Sequence, residues 1–179
     1  VREALGMRRK LLGNENPAVA TSLMWLGATL SDQGKHTEAE VAYREALAMR
    51  RKLGVEPATI DSSLASLARV LAAQGKRSEA EAMYREHLAI RRKLSGDEHP
   101  DVATALAQLA AVLLAENKFI EAEPVARECL AIREKKLPDD WLAFNARSML
   151  GGGLLGEKKF GEAAPLLLSA DGGMKQGGD

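Results

Sequence analysis

Cysteine and histidine carry most nucleophilic and metal chemistry near neutral pH, and this 179-residue chain holds one Cys and three His. A lone Cys129 excludes an intramolecular disulfide and any multi-cysteine metal site. His36 falls in a turn, His87 inside a helical stretch and His99 directly before Pro100, where it reads as part of a helix start. His87 takes a position held elsewhere by Ala46, Cys129 and Ala170, which marks interior packing. Repeat spacing brings His87 and Cys129 near each other. A nucleophilic pair also needs a third, orienting group and a cleft, and the sequence indicates neither. Cys129 therefore reads as a small buried apolar residue. The chain has no His-x-x-x-His, no Gly-Lys-Ser/Thr phosphate loop and no Gly-x-Ser-x-Gly. Gly151-Gly152-Gly153 lies within a helical pattern and marks tight packing or a weakened helix. Glu79 and Glu81, two residues apart, fall on different helix faces and cannot work as a paired acid and base. No catalytic, cofactor or metal site is expected, so the chain reads as a non-enzyme.

Positive charge is the other chemistry on offer. Arg8-Arg9-Lys10, Arg50-Arg51-Lys52, Arg91-Arg92-Lys93 and Arg133-Glu134-Lys135-Lys136 recur at regular distance and stack into a basic stripe if the units are superposed. A stripe of that kind takes an acidic partner or a nucleic-acid backbone. Against it, 25 Lys+Arg are balanced by 25 Asp+Glu, and there are only seven aromatic residues for base stacking. Basic residues at helix C-termini also complement the carbonyl dipole, which is the reading preferred here, and nucleic acid is not an expected partner.

These side chains must be positioned by helices. Charged residues are 28% and apolar residues 46% of the chain, with many Ala, Leu, Glu, Arg and Lys, a foldable and helix-favouring composition. No apolar run reaches the roughly 18 residues needed to cross a bilayer, so no membrane association is expected and the location reads as cytoplasmic. The chain begins at Val1 without Met, which points to a fragment excised from a larger protein.

Self-similarity dominates. Glu-Ala-Glu stands at residues 38–40, 79–81 and 121–123, with Glu-Ala-Ala at 162–164, and Leu5, Leu47, Leu88 and Leu130 form an independent series. The period is about 42 residues. Each unit reads as two helices. The first begins near Pro17, Pro57, Pro100 or Pro138, since Pro suits a first helical turn. It stops at Gln33-Gly34-Lys35, Gln74-Gly75-Lys76 or Glu116-Asn117-Lys118, where Gly or Asn supplies a left-handed cap. The second starts near Glu-Ala-Glu and runs to Leu53, Leu94 or Leu137, carrying i,i+4 pairs Glu40–Arg44, Glu81–Arg85 and Glu123–Arg127. The expected organisation is the second helix of a truncated repeat at 1–13, units at 14–54, 55–96, 97–137 and 138–171, and a flexible Gly-rich tail at 172–179.

Within each unit small residues hold two fixed places: Gly27, Ala68, Ala110 and Gly151 in the first helix, then Ala39, Ala80, Ala122 and Ala163 in the second. A Leu precedes each first-helix small residue, and Tyr43, Tyr84, Ala126 and Leu167 follow each second-helix Ala by four. This pattern resembles the tetratricopeptide repeat. Its long period and the linker from Gly96 to Ala103 are similar to the kinesin-light-chain type found in bacterial multidomain proteins. The resemblance spans nearly the whole chain and implies an all-α, right-handed superhelical solenoid of antiparallel helix pairs. It also implies a concave groove lined by first helices that takes extended peptide segments, with Asn side chains holding the peptide backbone. In this sequence Trp25, Ser66, Gln108 and Met149 stand at that Asn position.

Helical spacing gives the groove face as Thr21, Trp25 and Asp32, then Ser62, Ser66 and Arg69, then Thr104, Ala107, Gln108 and Ala111, then Asn145, Ser148 and Met149. Small, apolar and sparsely polar, this face suits a peptide rather than a phosphate-rich ligand. Trp25 is the expected anchor. The function read from the sequence is a protein–protein interaction scaffold binding a partner segment. The alternatives are a spacer that self-associates through its exposed repeat ends (residues 1–12 and Leu166 to Leu168), and a binder of acidic ligand or RNA through the basic stripe.

Overall fold

The structure is a computed structural model that describes residues 2–136 and 140–176, with side chains as far as Ala170. The described residues form nine helices and no strand: α1 (Arg2–Leu12), α2 (Pro17–Asp32), α3 (His36–Lys52), α4 (Pro57–Ala73), α5 (Arg77–Ser95), α6 (Pro100–Ala115), α7 (Phe119–Lys136), α8 (Trp141–Gly156) and α9 (Phe160–Gln176). They group into two compact units, residues 1–90 and residues 91–179.

Local chemistry sets the helix ends. Pro17, Pro57 and Pro100 each open a first helix, where the missing N–H has no partner to lose. Asn16 and His99 cap α2 and α6, their side chains accepting from the N–H of Ala18 and Asp101. The fourth first helix differs from expectation. It begins at Trp141 behind an Asp140 cap that accepts from Leu142 N–H at 2.7 Å, while Leu137 and Pro138 lie outside the described residues. Each first helix ends in a left-handed residue, at Gly34, Gly75, Asn117 and Lys158, with φ of 72°, 75°, 58° and 62°. At the C-terminus α9 continues as helix through Gln176, past the expected start of the Gly-rich tail. Residues 177–179 lie outside the described residues.

In the first unit α1 and α3 pack on α2, and α3 also packs on α4. Leu5, Val19, Leu23 and Ala46 form one buried cluster. Gly27 earns its place there: a Cβ on it would stand 2.7 Å from the Tyr43 ring, which is 1% exposed. Farther along, Leu64, Leu67, Ala68 and Leu71 are buried, as are Ala80 and Tyr84 of α5.

The second unit repeats the scheme, with α6 on α7, α7 on α8 and α8 on α9. Leu106, Leu109, Leu113, Leu130, Leu150 and Leu154 are buried around Ala110, Ala122 and Ala163. Gly151 sits against Leu167, 2.7 Å from where its Cβ would be, and a Cβ on Gly153 would meet Leu114 at 3.5 Å. Tight packing, one of the two readings of the triple glycine, holds at Gly151, whereas a Cβ at Gly153 would make only an ordinary contact.

Candidate partner-binding site

The first unit brings five of the six expected residues on α2 and α4 to one open cleft of about 320 Å³: Thr21, Trp25, Ser62, Ser66 and Arg69. Met24 and Ala28 complete the α2 wall, and Trp25 is 66% exposed. The indole thus lines the cleft shared with α4. Asp32 does not line the cleft, although its charge is felt at Tyr43. Thr21, Ser62 and Ser66 each donate their hydroxyl proton to a backbone carbonyl of their own helix, at 2.9, 2.9 and 3.0 Å. Their oxygens remain acceptors, although Ser62 Oγ already takes a long bond from Arg50 Nη1 at 3.5 Å.

Tyr43 and Arg50 also line the cleft, and sequence reading missed both as site residues. Burial pushes the Tyr43 phenol up, against the lowering effect of the neighbouring Arg69 guanidinium. Arg50, 8% exposed, leaves the end of α3 and passes under α4. There its Nη1 donates to the Thr59 carbonyl at 3.0 Å and to Ser63 Oγ at 2.6 Å. The signal for Arg50 was its place as first residue of the basic triplet. Arg8 makes the matching bond to Ser22 Oγ, and Arg133 reaches the Leu142 carbonyl at 2.7 Å. Those triplet heads therefore do meet carbonyls, but carbonyls of the following helix pair rather than of their own helix.

Many of the remaining basic residues are tied into an ion-pair ladder between successive second helices. Within the first unit Arg2 pairs with Glu38, Arg9 with Glu45, Arg44 with Glu79 and Arg51 with Glu86. Within the second, Arg92 pairs with Glu128 and Arg127 with Glu162. Lys52–Glu15 and Lys135–Glu98 tie helix ends to the linkers of the preceding pair. The three expected i,i+4 pairs form as well, at 2.7 to 2.9 Å. Much of the basic stripe is thereby neutralised where it stands.

In the second unit the expected residues lie along α6 and α8. Ala111 and Asn145 are exposed, and Ala107, Gln108, Ser148 and Met149 are half-buried. Gln108 Oε1 is buried with no hydrogen-bond partner among the described residues. Thr104 lines a small cavity of about 80 Å³ with Arg133, Lys136, Asp140 and the apolar Pro100, Ile132 and Leu142.

The histidines and cysteine settle into packing. His99 caps α6. Cys129 is fully buried, its thiol donates to the Ala103 carbonyl at 3.2 Å, and burial pushes its pKa up to about 11. Such a thiol holds almost no thiolate at neutral pH. His87 donates from Nδ1 to Asp61 Oδ1 at 2.6 Å in the interior of the α4–α5 pair. Asp61 was not picked out from the sequence. Its register with Ala20 and Ala103, both small and apolar, was the available sign that it needs a buried partner.

Consecutive antiparallel helix pairs, sealed by glycine or alanine against a bulky residue and exposing a first-helix cleft, define an all-α repeat protein of the interaction type. The tetratricopeptide-repeat family model matches residues 1–52 and 59–135, and the chain belongs to that family. Its repeats mediate protein–protein interaction and are typically non-catalytic. Among solved structures, the nearly identical TPR-like repeats of a Podosopora anserina kinesin light chain superpose with a TM-score of 0.85 at 22% identity, covering 99% of this chain and 85% of that one. BtubC (BKLC) from P. vanneervenii superposes with the same score and identity over 99% of this chain and 72% of its own. These likenesses are of kinesin-light-chain-type repeat folds. No curated protein matches. No helix among the described residues is long and apolar enough to cross a membrane.

Proposed function

We propose that the chain is a non-catalytic scaffold whose first-helix faces hold an extended peptide segment of a protein partner. The observation that carries this reading is the α2–α4 cleft, where an exposed Trp25 stands beside hydroxyl oxygens able to accept peptide N–H groups. Ala107, Gln108, Ala111, Asn145, Ser148 and Met149 extend the reading to the second unit. A cytoplasmic setting goes with it. The test is selection from a displayed random-peptide library, followed by calorimetric titration of the selected peptides. Trp25→Ala is expected to weaken them at least about tenfold, the effect of losing one aromatic anchor. Peptides that bind the variant as well as the parent, or a selection that yields none, defeat the reading.

Self-association is a second reading favoured by the repeat ends. Leu11 is 82% exposed on α1 and Leu168 75% exposed on α9. Light scattering over a concentration series tests it. A mass that doubles in the parent and stays monomeric in Leu11→Glu or Leu168→Glu supports end-to-end stacking, and a constant mass in all three rejects it.

A further inference from the structure

Arg50 is the buried charge in the first unit that the ion-pair ladder leaves out. Its neighbours Arg51 and Lys52 are paired with Glu86 and Glu15, while its own bonds go only to the neutral oxygens of Thr59, Ser62 and Ser63. A guanidinium so far from water is held less well than in solvent, and burial depresses its pKa. It opens onto the same cleft as Arg69, and no carboxylate lines that cleft. The site thus presents two guanidiniums, a formal charge of two, with no acid in its walls; Asp32, whose charge reaches Tyr43, stands outside the lining. The quasi-equivalent Arg133 differs, because Asp140 stands in the wall of its cavity.

Building on the peptide reading above, we propose that the α2–α4 cleft recognises a phosphorylated side chain of the bound segment, its phosphoryl group taken by Arg50 and Arg69. A phosphate monoester carries close to two negative charges and three acceptor oxygens, which matches two guanidinium forks. A carboxylate carries one charge and is satisfied by a single fork. The hydroxyls of Thr21, Ser62 and Ser66 have their protons committed to carbonyls. They serve as acceptors for the peptide backbone, and so favour a peptide-borne phosphoryl group over a free anion.

The experiment is a fluorescence-polarisation titration of the whole chain with three degenerate peptide pools, whose fixed central residue is serine, glutamate or phosphoserine. The phosphoserine pool is expected to bind at least about tenfold more tightly than the other two. Arg69→Gln, at an exposed position and with an amide that can still reach Tyr43, is expected to abolish that preference. Arg50→Lys, which keeps the charge without the fork, reduces it, and Lys10→Gln leaves it intact. Equal binding of the three pools overturns the proposal while leaving the peptide reading in place. So does a preference that survives both arginine substitutions, or one that inorganic phosphate or an RNA oligonucleotide displaces at the concentration at which the peptide binds. If no pool binds, the proposal also falls, and the library-selected peptides then decide the peptide reading separately.

Discussion

Gly27 shows how a single hydrogen atom sets the spacing of a helix pair. The Tyr43 ring occupies the volume a larger residue would need, so Gly27→Val is expected to cost about 1–3 kcal/mol by overpacking, read as a drop in the urea midpoint. Lys158 is the converse case. It holds φ of 62° where the first two units have Gly34 and Gly75, and a side chain in that region costs about 1 kcal/mol. Lys158→Gly should raise stability by up to about that amount, and thermal denaturation measures it. The buried Asp61–His87 pair makes a third prediction. In the first repeat the same two places hold Ala20 and Ala46, both fully buried. Asp61→Ala alone leaves a buried imidazole N–H without its acceptor, at about 1–3 kcal/mol. The double variant Asp61→Ala with His87→Ala removes both partners. It is expected to be less destabilised than the two single losses sum to, and a double-mutant cycle reads the difference.

At the scale of the element, the turns between paired helices reuse one polar cluster with one substitution. Glu40 of α3 accepts from Gln74 Nε2 at 2.8 Å and pairs with Lys76 at 2.7 Å, both from the turn after α4. In the matching cluster Glu123 of α7 pairs with Lys159 at 2.5 Å, but Glu157 stands where Gln74 would. Glu157 shares the same lysine at 3.0 Å, and its Oε1 finds no hydrogen-bond partner among the described residues. Two carboxylates on one ammonium are worse than a carboxylate and an amide. Glu157→Gln should therefore stabilise the second unit by about 1 kcal/mol, seen as a higher urea midpoint. The ladder of exposed Arg–Glu pairs contributes less, about 0–1 kcal/mol each.

For the whole molecule, the acid side of the stability curve follows from the same glutamates. Burial alone would raise the Glu40 pKa, but hydrogen bonds from Lys76, Arg44 and Gln74 outweigh it and hold the group at about 2, against 4.5 for a free carboxyl. Lys159 and Arg127 bring Glu123 to about 2 as well. Both groups bind protons more weakly when folded, so their contribution is complete above about 4.5 and drains away as pH falls toward 2. The urea midpoint is expected to decline through that window, and Glu40→Gln to flatten part of the decline. A midpoint that stays level to pH 2 contradicts the assignment.

The sequence by itself determined the helices, their starts at Pro17, Pro57 and Pro100, the left-handed turns and the small-residue contacts. These are set by interactions within a few residues or by a pattern repeated four times, and repetition makes a packing rule visible without coordinates. Trp25, Ser66 and Arg69 were legible as one face for the same reason, since helical spacing alone puts them there. Tertiary structure alone decided where the long side chains go. Arg50, Arg51 and Lys52 are neighbours of like type in sequence. Yet one is buried under α4 among neutral oxygens, and the other two are neutralised by glutamates some 35 residues away on other elements. A flexible charged side chain spans a full helix diameter, so its partner is chosen by the three-dimensional register of the helices. Asp61 finding His87 is the buried version of the same fact: the α4–α5 pairing places an imidazole 2.6 Å from an acid in the interior.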